Sequence, residues 1–286
     1  MDLTRSPQAV APAERSRSNT VSAVILARGL GKRMRKADVS AVVGGDQAAA
    51  ADAGVKAMIP IGRPFLDYVL SALADAGFER VCLVIGPEHK SIRDHYDRVR
   101  PSRLSIEYAV QQEPLGTANA VLAAEPFANG DPFVVLNSDN YYPVEALALL
   151  RRTEAPAIVG FARSALIESG NVDPGKAERF GALEISDDGF LQSIIPRRGV
   201  HSGHSPGDAW ASMNCWLFDS RIFDACRAVP LSARGEFELP KAVELAIDTM
   251  GMQFRVIRMT EPVLDLSTRA DIAEVQARLA GVVVTL

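Results

Sequence analysis

An almost unbroken apolar run, Val21 to Ala27, opens the ordered part of the chain and predicts a parallel strand buried on both faces. Further apolar runs predict strands over Val81–Ile85, Leu104–Val110, Phe133–Leu136 and Ala157–Phe161. Between them lie stretches of helical period. One buries Leu66, Val69, Leu70 and Leu73, with Pro64 in its first turn and Gly77 at its end. Others run from about Glu88 to Tyr96, Thr117 to Ala124 and Pro143 to Arg152. Strands alternating with helices mean βαβ units, a mainly parallel sheet and ligands at its carboxyl edge. The fold class is therefore α/β, Rossmann-like, with helices flanking the sheet.

The second half changes character. Residues 163 to 178 read as a polar connection, followed by shorter strands at Gly181–Ile185 and Phe190–Ile194 around the turn Ser186-Asp187-Asp188-Gly189. An apolar segment spans Trp210 to Phe218, and helices are expected over Arg221–Cys226 and Leu239–Asp248. Strands near Phe254–Arg258 and Val263–Leu266 precede a last helix with Ile272, Val275 and Leu279 inward, capped by Ser267 or Thr268. Residues 21–286 thus form one domain, with a first half to residue 162 and a small β-rich second half from 163. Residues 1–20, mixing Pro, Ser, Ala and Arg without an apolar core, read as a disordered tail and no secretory signal.

Composition narrows the class. With 286 residues, 48% hydrophobic and 23% charged, the chain can bury a sizeable core. A formal charge of -4 argues against a nucleic-acid partner, and no apolar run reaches membrane-span length. Cys82, Cys215 and Cys226 are widely spaced and read as reduced residues of a cytoplasmic protein. His201 and His204 read as a solvated loop rather than a metal site. A homo-oligomer is left open.

Against this acidic background, Arg28, Lys32, Arg33, Arg35 and Lys36 crowd into nine positions around Gly29-Leu30-Gly31, just past the first strand. Missing side chains let backbone N–H groups approach a ligand, and the cations suit a polyphosphate. It is neither a dinucleotide fingerprint, because Met34 stands where a third glycine belongs, nor a Walker loop, because Leu26 and Arg33 occupy its Gly and Ser/Thr positions. Gln111, in Q-Q-E-P-L-G-T-A, places an amide and then Gly116 and Thr117 at a strand-to-helix turn. Such an amide offers a pyrimidine both a donor and an acceptor. Asp139 ends the strand F-V-V-L-N-S-D-N, and Asp265 lies in V-L-D-L; both read as hard oxygen ligands for Mg²⁺ at one sheet edge.

These stretches together resemble the sugar-1-phosphate nucleotidylyltransferases, the glucose-1-phosphate thymidylyl- and uridylyltransferases in particular. L-A-R-G-L-G-K-R-M resembles their L-A-x-G-x-G-(T/S)-R-(L/M), with Lys32 in place of the small hydroxyl residue. V-K-A-M-I-P-I resembles P-K-x-(L/M)-x-P-(I/V), and A-R-G-E-F-E-L resembles A-R-G-E-L-E-I. The resemblance implies Arg33 and Lys56 as catalytic cations and Ala27, Gly29, Gly31, Gln111, Gly116 and Thr117 as the nucleotide site. It implies Gly181, Asn214 and Arg234 as the acceptor site, and Asp139 and Asp265 as ligands of Mg²⁺. The implied reaction joins UTP or dTTP to a sugar 1-phosphate, giving an NDP-sugar and pyrophosphate. The chain departs from the family where E-K-P becomes Ile194-Ile195-Pro196, and at Asn214, which replaces a common glycine. Two other readings stand beside it: a non-catalytic sensor of the same fold, and a glycosyltransferase using Ser138-Asp139-Asn140 as its metal motif. The Ala- and Gly-rich residues 37 to 54 are an insertion, expected to be a mobile loop with a short helix that closes as a lid over triphosphate.

Overall fold

The computed structural model describes residues 20–38, 41, 43–195 and 209–286. The strands are β1 (Ser22–Leu26), β2 (Arg80–Ile85), β3 (Ser105–Val110), β4 (Phe133–Asn137), β5 (Asn140–Tyr141), β6 (Ala157–Ala162), β7 (Ala182–Ile185), β8 (Leu191–Ile195), β9 (Trp210–Phe218), β10 (Arg255–Met259) and β11 (Leu264–Asp265). Seven of them run in the order β10-β6-β9-β4-β1-β2-β3, with the β7–β8 hairpin attached through β9. Pairing is parallel at β1–β2, β2–β3, β1–β4 and β6–β10; β9 runs antiparallel between β4 and β6. The mainly parallel α/β sheet expected from the pattern is what forms.

Strand alternation divides the core between two faces. Ala23 and Ile25 of β1 point to one side, with Leu83, Leu136 and Val159. The helix Phe65–Asp75 covers that side, burying Leu66, Val69, Leu70 and Leu73. Val24 and Leu26 point to the other, with Val84, Val135, Trp216 and Phe218, under the helices Ile222–Ala228 and Leu239–Met250. Each large aliphatic side chain so enclosed stabilises the fold by about 1.5–3 kcal/mol. Burial on both faces explains why the first-half strands read as continuous apolar runs. No helix among the described residues is long and apolar enough to cross a membrane.

Several expectations need correcting. The stretch 163–178 carries two short helices, Arg163–Glu168 and Pro174–Ala177, and Arg163 and Lys176 are buried. β11 does not join the large sheet: it pairs antiparallel with β5, setting Asp265 opposite Asn140. Neither Ser267 nor Thr268 caps the last helix, Asp271–Leu279. Instead the Asp271 carboxylate accepts from both of their backbone N–H groups, at 2.9 and 2.7 Å. Thr20, assigned to the tail, is buried and donates to the Arg151 carbonyl at 3.2 Å. The rest of the tail, and His201 and His204, lie outside the described residues.

Candidate functional site

Two clefts open at the carboxyl edge of the sheet. One, of about 520 Å³, is lined by Ala27, Gly29, Gly31, Lys56, Gln111 and Gly116. The other, of about 410 Å³, is lined by Gly181, Ile194, Met213, Asp265 and Ser267 among others. Arg33, Thr117, Asp139, Asn214 and Arg234 belong to both. Every sequence-predicted site residue therefore meets in one continuous depression.

The glycine loop is shaped from below. Gly31 has φ 60°, and a Cβ there would lie 2.2 Å from the Gly54 carbonyl oxygen, so the backbone needs glycine. The following turn, Lys32–Arg35, buries Met34 and leaves Lys32 and Arg33 exposed. Among the described residues Arg33 has no hydrogen-bond or ion-pair partner, and its guanidinium stands where the clefts join. Beneath it the insertion forms the helix Gly45–Ala53. It is docked: Arg35 Nη2 donates to the Ala53 carbonyl at 2.7 Å, Gln47 Nε2 to Pro60 O at 2.9 Å, and Arg269 pairs with Asp52. The short helix expected within the insertion is thus present, docked by these contacts against Arg35, Pro60 and Arg269.

At the base-reading turn the structure alters the role given to Gln111. Its Nε2 donates to the Gly116 carbonyl at 3.0 Å and to Asn119 Oδ1 at 2.8 Å. Both amide hydrogens are thus spent inside the protein, and what remains for a base is the acceptor Oε1. Gly116 has φ 109°, and a Cβ would meet Phe237 O at 2.6 Å. Thr117 is no cap for its helix; its Oγ1 accepts from Leu239 N–H at 2.8 Å. Phe237 N–H donates to Leu115 O at 2.7 Å and Ala118 N–H to Phe237 O at 2.8 Å. The segment bearing Arg234 is therefore bolted to the Gln111–Thr117 turn.

The acceptor side depends on an irregularity in β9. Between the pairs Ile158↔Trp216 and Gly160↔Ser212 the register shifts, and Asn214 takes φ 54°. Asparagine tolerates that left-handed backbone better than most residues, which explains how it replaces a glycine. Tyr142 hydroxyl donates to Met213 O at 2.6 Å and Trp216 Nε1 to Asn214 Oδ1 at 3.3 Å, holding the bulge. Gly181 faces Ile194, whose Cγ2 would lie 2.6 Å from any added Cβ. Ile194 is 5% exposed and forms an apolar wall there, whereas Arg234 extends into solvent and, among the described residues, its guanidinium has only a 4.0 Å contact, to Glu238.

The two aspartates carry the strongest electrostatics. Lys56 Nζ lies 2.6 Å from Asp139 Oδ2. Asp265 is buried and accepts from Asn140 Nδ2 at 3.0 Å and from Ser267 Oγ at 2.9 and 2.7 Å. Asn171 brackets its backbone, donating to Asp265 O at 2.9 Å and accepting from its N–H at 2.8 Å. Lys176 Nζ reaches Asp265 Oδ2 at 2.7 Å and both Asp271 oxygens at 3.1 Å. Burial pushes the Asp265 carboxyl up and the nearby Asp139 charge pushes it further; Lys176 and Ser267 pull it back only in part. Burial works against the Lys176 charge, but Asp265 and Asp271 outweigh it and raise its pKa. Sequence reading missed Lys176 and Asn171, and named Asn140 only within the metal motif of the glycosyltransferase reading. The D-P-G-K stretch does signal a cap: Asp173 accepts from Lys176 N–H at 2.9 Å with Pro174 in the first turn. Nothing local signals that the lysine turns inward. Among the described residues no three His, Cys, Asp or Glu gather as a ready metal cage.

A family model described as nucleotidyl transferase matches residues 22–280. The chain is 29% identical over 261 residues to the UTP–glucose-1-phosphate uridylyltransferase AglF of Haloferax volcanii, covering 91% of this chain and 96% of that one. It is 26% identical over 238 residues to the uridylyltransferase YngB of Bacillus subtilis, covering 74% and 78%. With a glucose-1-phosphate thymidylyltransferase of Streptomyces antibioticus it shares 31% over 186 residues, covering 65% and 49%. Among solved structures, a UDP-glucose pyrophosphorylase from Acinetobacter baumanii superposes with a TM-score of 0.68 at 19% identity, covering 93% of this chain and 95% of that one. That last likeness is one of fold.

Proposed function

The chain belongs to the nucleotidyl transferase family, and we propose that it joins a nucleoside triphosphate, UTP or dTTP, to a sugar 1-phosphate, yielding an NDP-sugar and pyrophosphate. The observation that carries this reading is that the two clefts share Arg33 and Asp139. A triphosphate along the glycine loop and an acceptor phosphate beside Arg234 would meet there. An oxygen of the acceptor phosphate attacks the α-phosphorus in line. The bond from α-phosphorus to its bridging oxygen breaks, and that electron pair leaves with pyrophosphate. A phosphate dianion is already a nucleophile, so no side chain has to remove a proton. Arg33, free of partners among the described residues, and Lys56 stabilise the charge that moves toward pyrophosphate.

Asp139 and Asp265 fit Mg²⁺ as a donor set. They are hard carboxylate oxygens close enough for the charge on one to raise the pKa of the other. When bound, the ion would neutralise phosphate charge beside them. Lys56 and Lys176 hold the two carboxylates in place. For the base, the Gln111 acceptor matches the N3–H of uracil or thymine and not the bare N3 of cytosine. Three free, buried thiols support a reducing compartment such as the cytoplasm.

The apolar wall at Ile194 favours one second reading, a nucleotide-binding sensor without turnover. A pyrophosphate-release screen, crossing UTP, dTTP, CTP and GTP with a panel of sugar 1-phosphates in Mg²⁺, separates the two. Release that needs both a pyrimidine triphosphate and an acceptor supports the transferase. Nucleotide binding with no release across the panel leaves the sensor.

A further inference from the structure

Arg28 stands in the variable position of the glycine-loop motif, and the phosphate chemistry does not use it. Unlike its four neighbouring cations it is buried, with 8% of its surface exposed, in the wall of the nucleotide cleft. Its Nη2 donates to the Gln112 carbonyl at 3.1 Å and to Glu88 Oε2 at 3.4 Å. Its Nε and Nη1 are enclosed and, among the described residues, have no acceptor. Two dry, unpartnered donors on one guanidinium work against stability, so packing alone does not account for this residue.

Its placement does account for it. The guanidinium crosses the carboxyl ends of three neighbouring strands: it grows from the end of β1, lies on the turn after β2, and grips the chain just after β3. Gln112 is the residue next to Gln111, whose amide fixes Gly116. On the β2 side, Gly86 makes the room: a Cβ there would fall 2.4 Å from Arg28 Nε and 2.4 Å from Glu88 Oε2.

We propose that Arg28 is a positioning residue for the nucleoside base, tying the glycine loop to the Gln111–Gly116 turn so that both meet the nucleotide at a fixed spacing. This role rests on the proposed reaction. It assigns Arg28 no contact with the reacting atoms, so its loss should be read in nucleotide affinity and base choice, with little change in turnover.

The test compares Arg28→Ala and Gly86→Ala, the second pushing the guanidinium aside without removing it. UTP, dTTP and CTP binding is measured by calorimetry without acceptor, and kcat and both KM values by pyrophosphate release. Arg28→Ala should weaken UTP about tenfold and narrow the preference for UTP over CTP, with kcat and the acceptor KM within about twofold. Gly86→Ala should reproduce this in the otherwise unaltered protein and add little in the Arg28→Ala background. UTP affinity within about twofold of the unaltered protein, or equal losses in kcat and both substrates with base preference unchanged, overturns the role. Circular dichroism checks folding; if Arg28→Ala does not fold, Gly86→Ala is judged by the same criteria. An unaltered protein that binds neither UTP nor dTTP overturns the proposed reaction and this role together. One that turns over normally while Arg28→Ala keeps its affinity overturns the role alone.

Discussion

Lys56 and Asp139 lie 2.6 Å apart, Lys176 and Asp265 2.7 Å apart, yet the pairs stand in different surroundings. The first pair opens onto the cleft, its side chains 14% and 22% exposed; the second is closed over, at 6% and 5%. A charge pair in contact with water can exchange partners at little cost, whereas a buried one is expensive to break because the survivor is left without compensation. The same two residue types therefore make one pair that a ligand entering the cleft can reach and one closed pair that sets the shape of the floor.

The sharpest way to break this comparison is to remove each lysine. Lys176→Met leaves Asp265 and Asp271 facing each other without their ammonium, and should lower stability by about 3–5 kcal/mol in urea unfolding. Lys56→Met should lower stability by no more than about 1 kcal/mol while cutting turnover heavily. Equal stability losses in the two variants would abolish the distinction.

The aspartates sharpen it. Asp139→Asn and Asp265→Asn should each reduce turnover about 10²-fold or more, roughly 3 kcal/mol of transition-state stabilisation. The double variant should lose less than the sum, since a shared ion displaced once cannot be displaced again. Folding should be almost untouched in both: the Asp265 carboxyl is already held above its usual range, and Lys176 keeps Asp271 as a partner. Full Mg²⁺-dependent activity in either single variant would remove the two-aspartate arrangement.

Gln111→Ala tests a smaller effect. It removes the acceptor for N3–H and frees the Gly116 turn, and should weaken UTP by about 1–3 kcal/mol in calorimetry. Tighter binding of CTP than of UTP by the unaltered protein would contradict the acceptor assignment.

The smallest effect lies in the core beneath both pairs. Burial pushes the Cys82 and Cys226 thiols up to about 12, and raises Cys215 as well. An unfolded thiol loses its proton near pH 8.5, so between there and pH 12 the native state binds more protons and stability falls as pH rises. At pH 9 the loss should be about 0.8 kcal/mol per thiol, read as a lower urea midpoint than at pH 7. Rapid alkylation of native protein at pH 8 would contradict the burial.

The first half of the fold was legible because its strands are apolar on both faces and its motifs sit where those strands end. Arg33, Gln111 and Asp139 lie just past such strands and could be located from that, whereas Lys56, in a short turn after the insertion, could be located only through the motif it resembles. What escaped was anything decided by a distant partner. Lys176 lies in a polar stretch whose pattern gives no reason to bury it, and only Asp265 and Asp271, 89 and 95 residues further on, supply that reason. β11 was legible as a strand, but nothing local says that it pairs with β5 and stays out of the large sheet. Gln111 offered a donor on paper because the acceptors that consume it, Gly116 O and Asn119 Oδ1, are invisible until the turn closes.

The hydrogen bonds from Phe237 to Leu115 and from Ala118 back to Phe237, with Leu239 N–H on Thr117, have a further consequence. They join the Gln111–Thr117 turn, which we propose reads the base, to the segment that carries Arg234, so neither can shift without the other. Occupancy of the two clefts is then thermodynamically linked. Whatever factor a seated nucleotide adds to the affinity for the acceptor phosphate, the seated acceptor must return to the nucleotide.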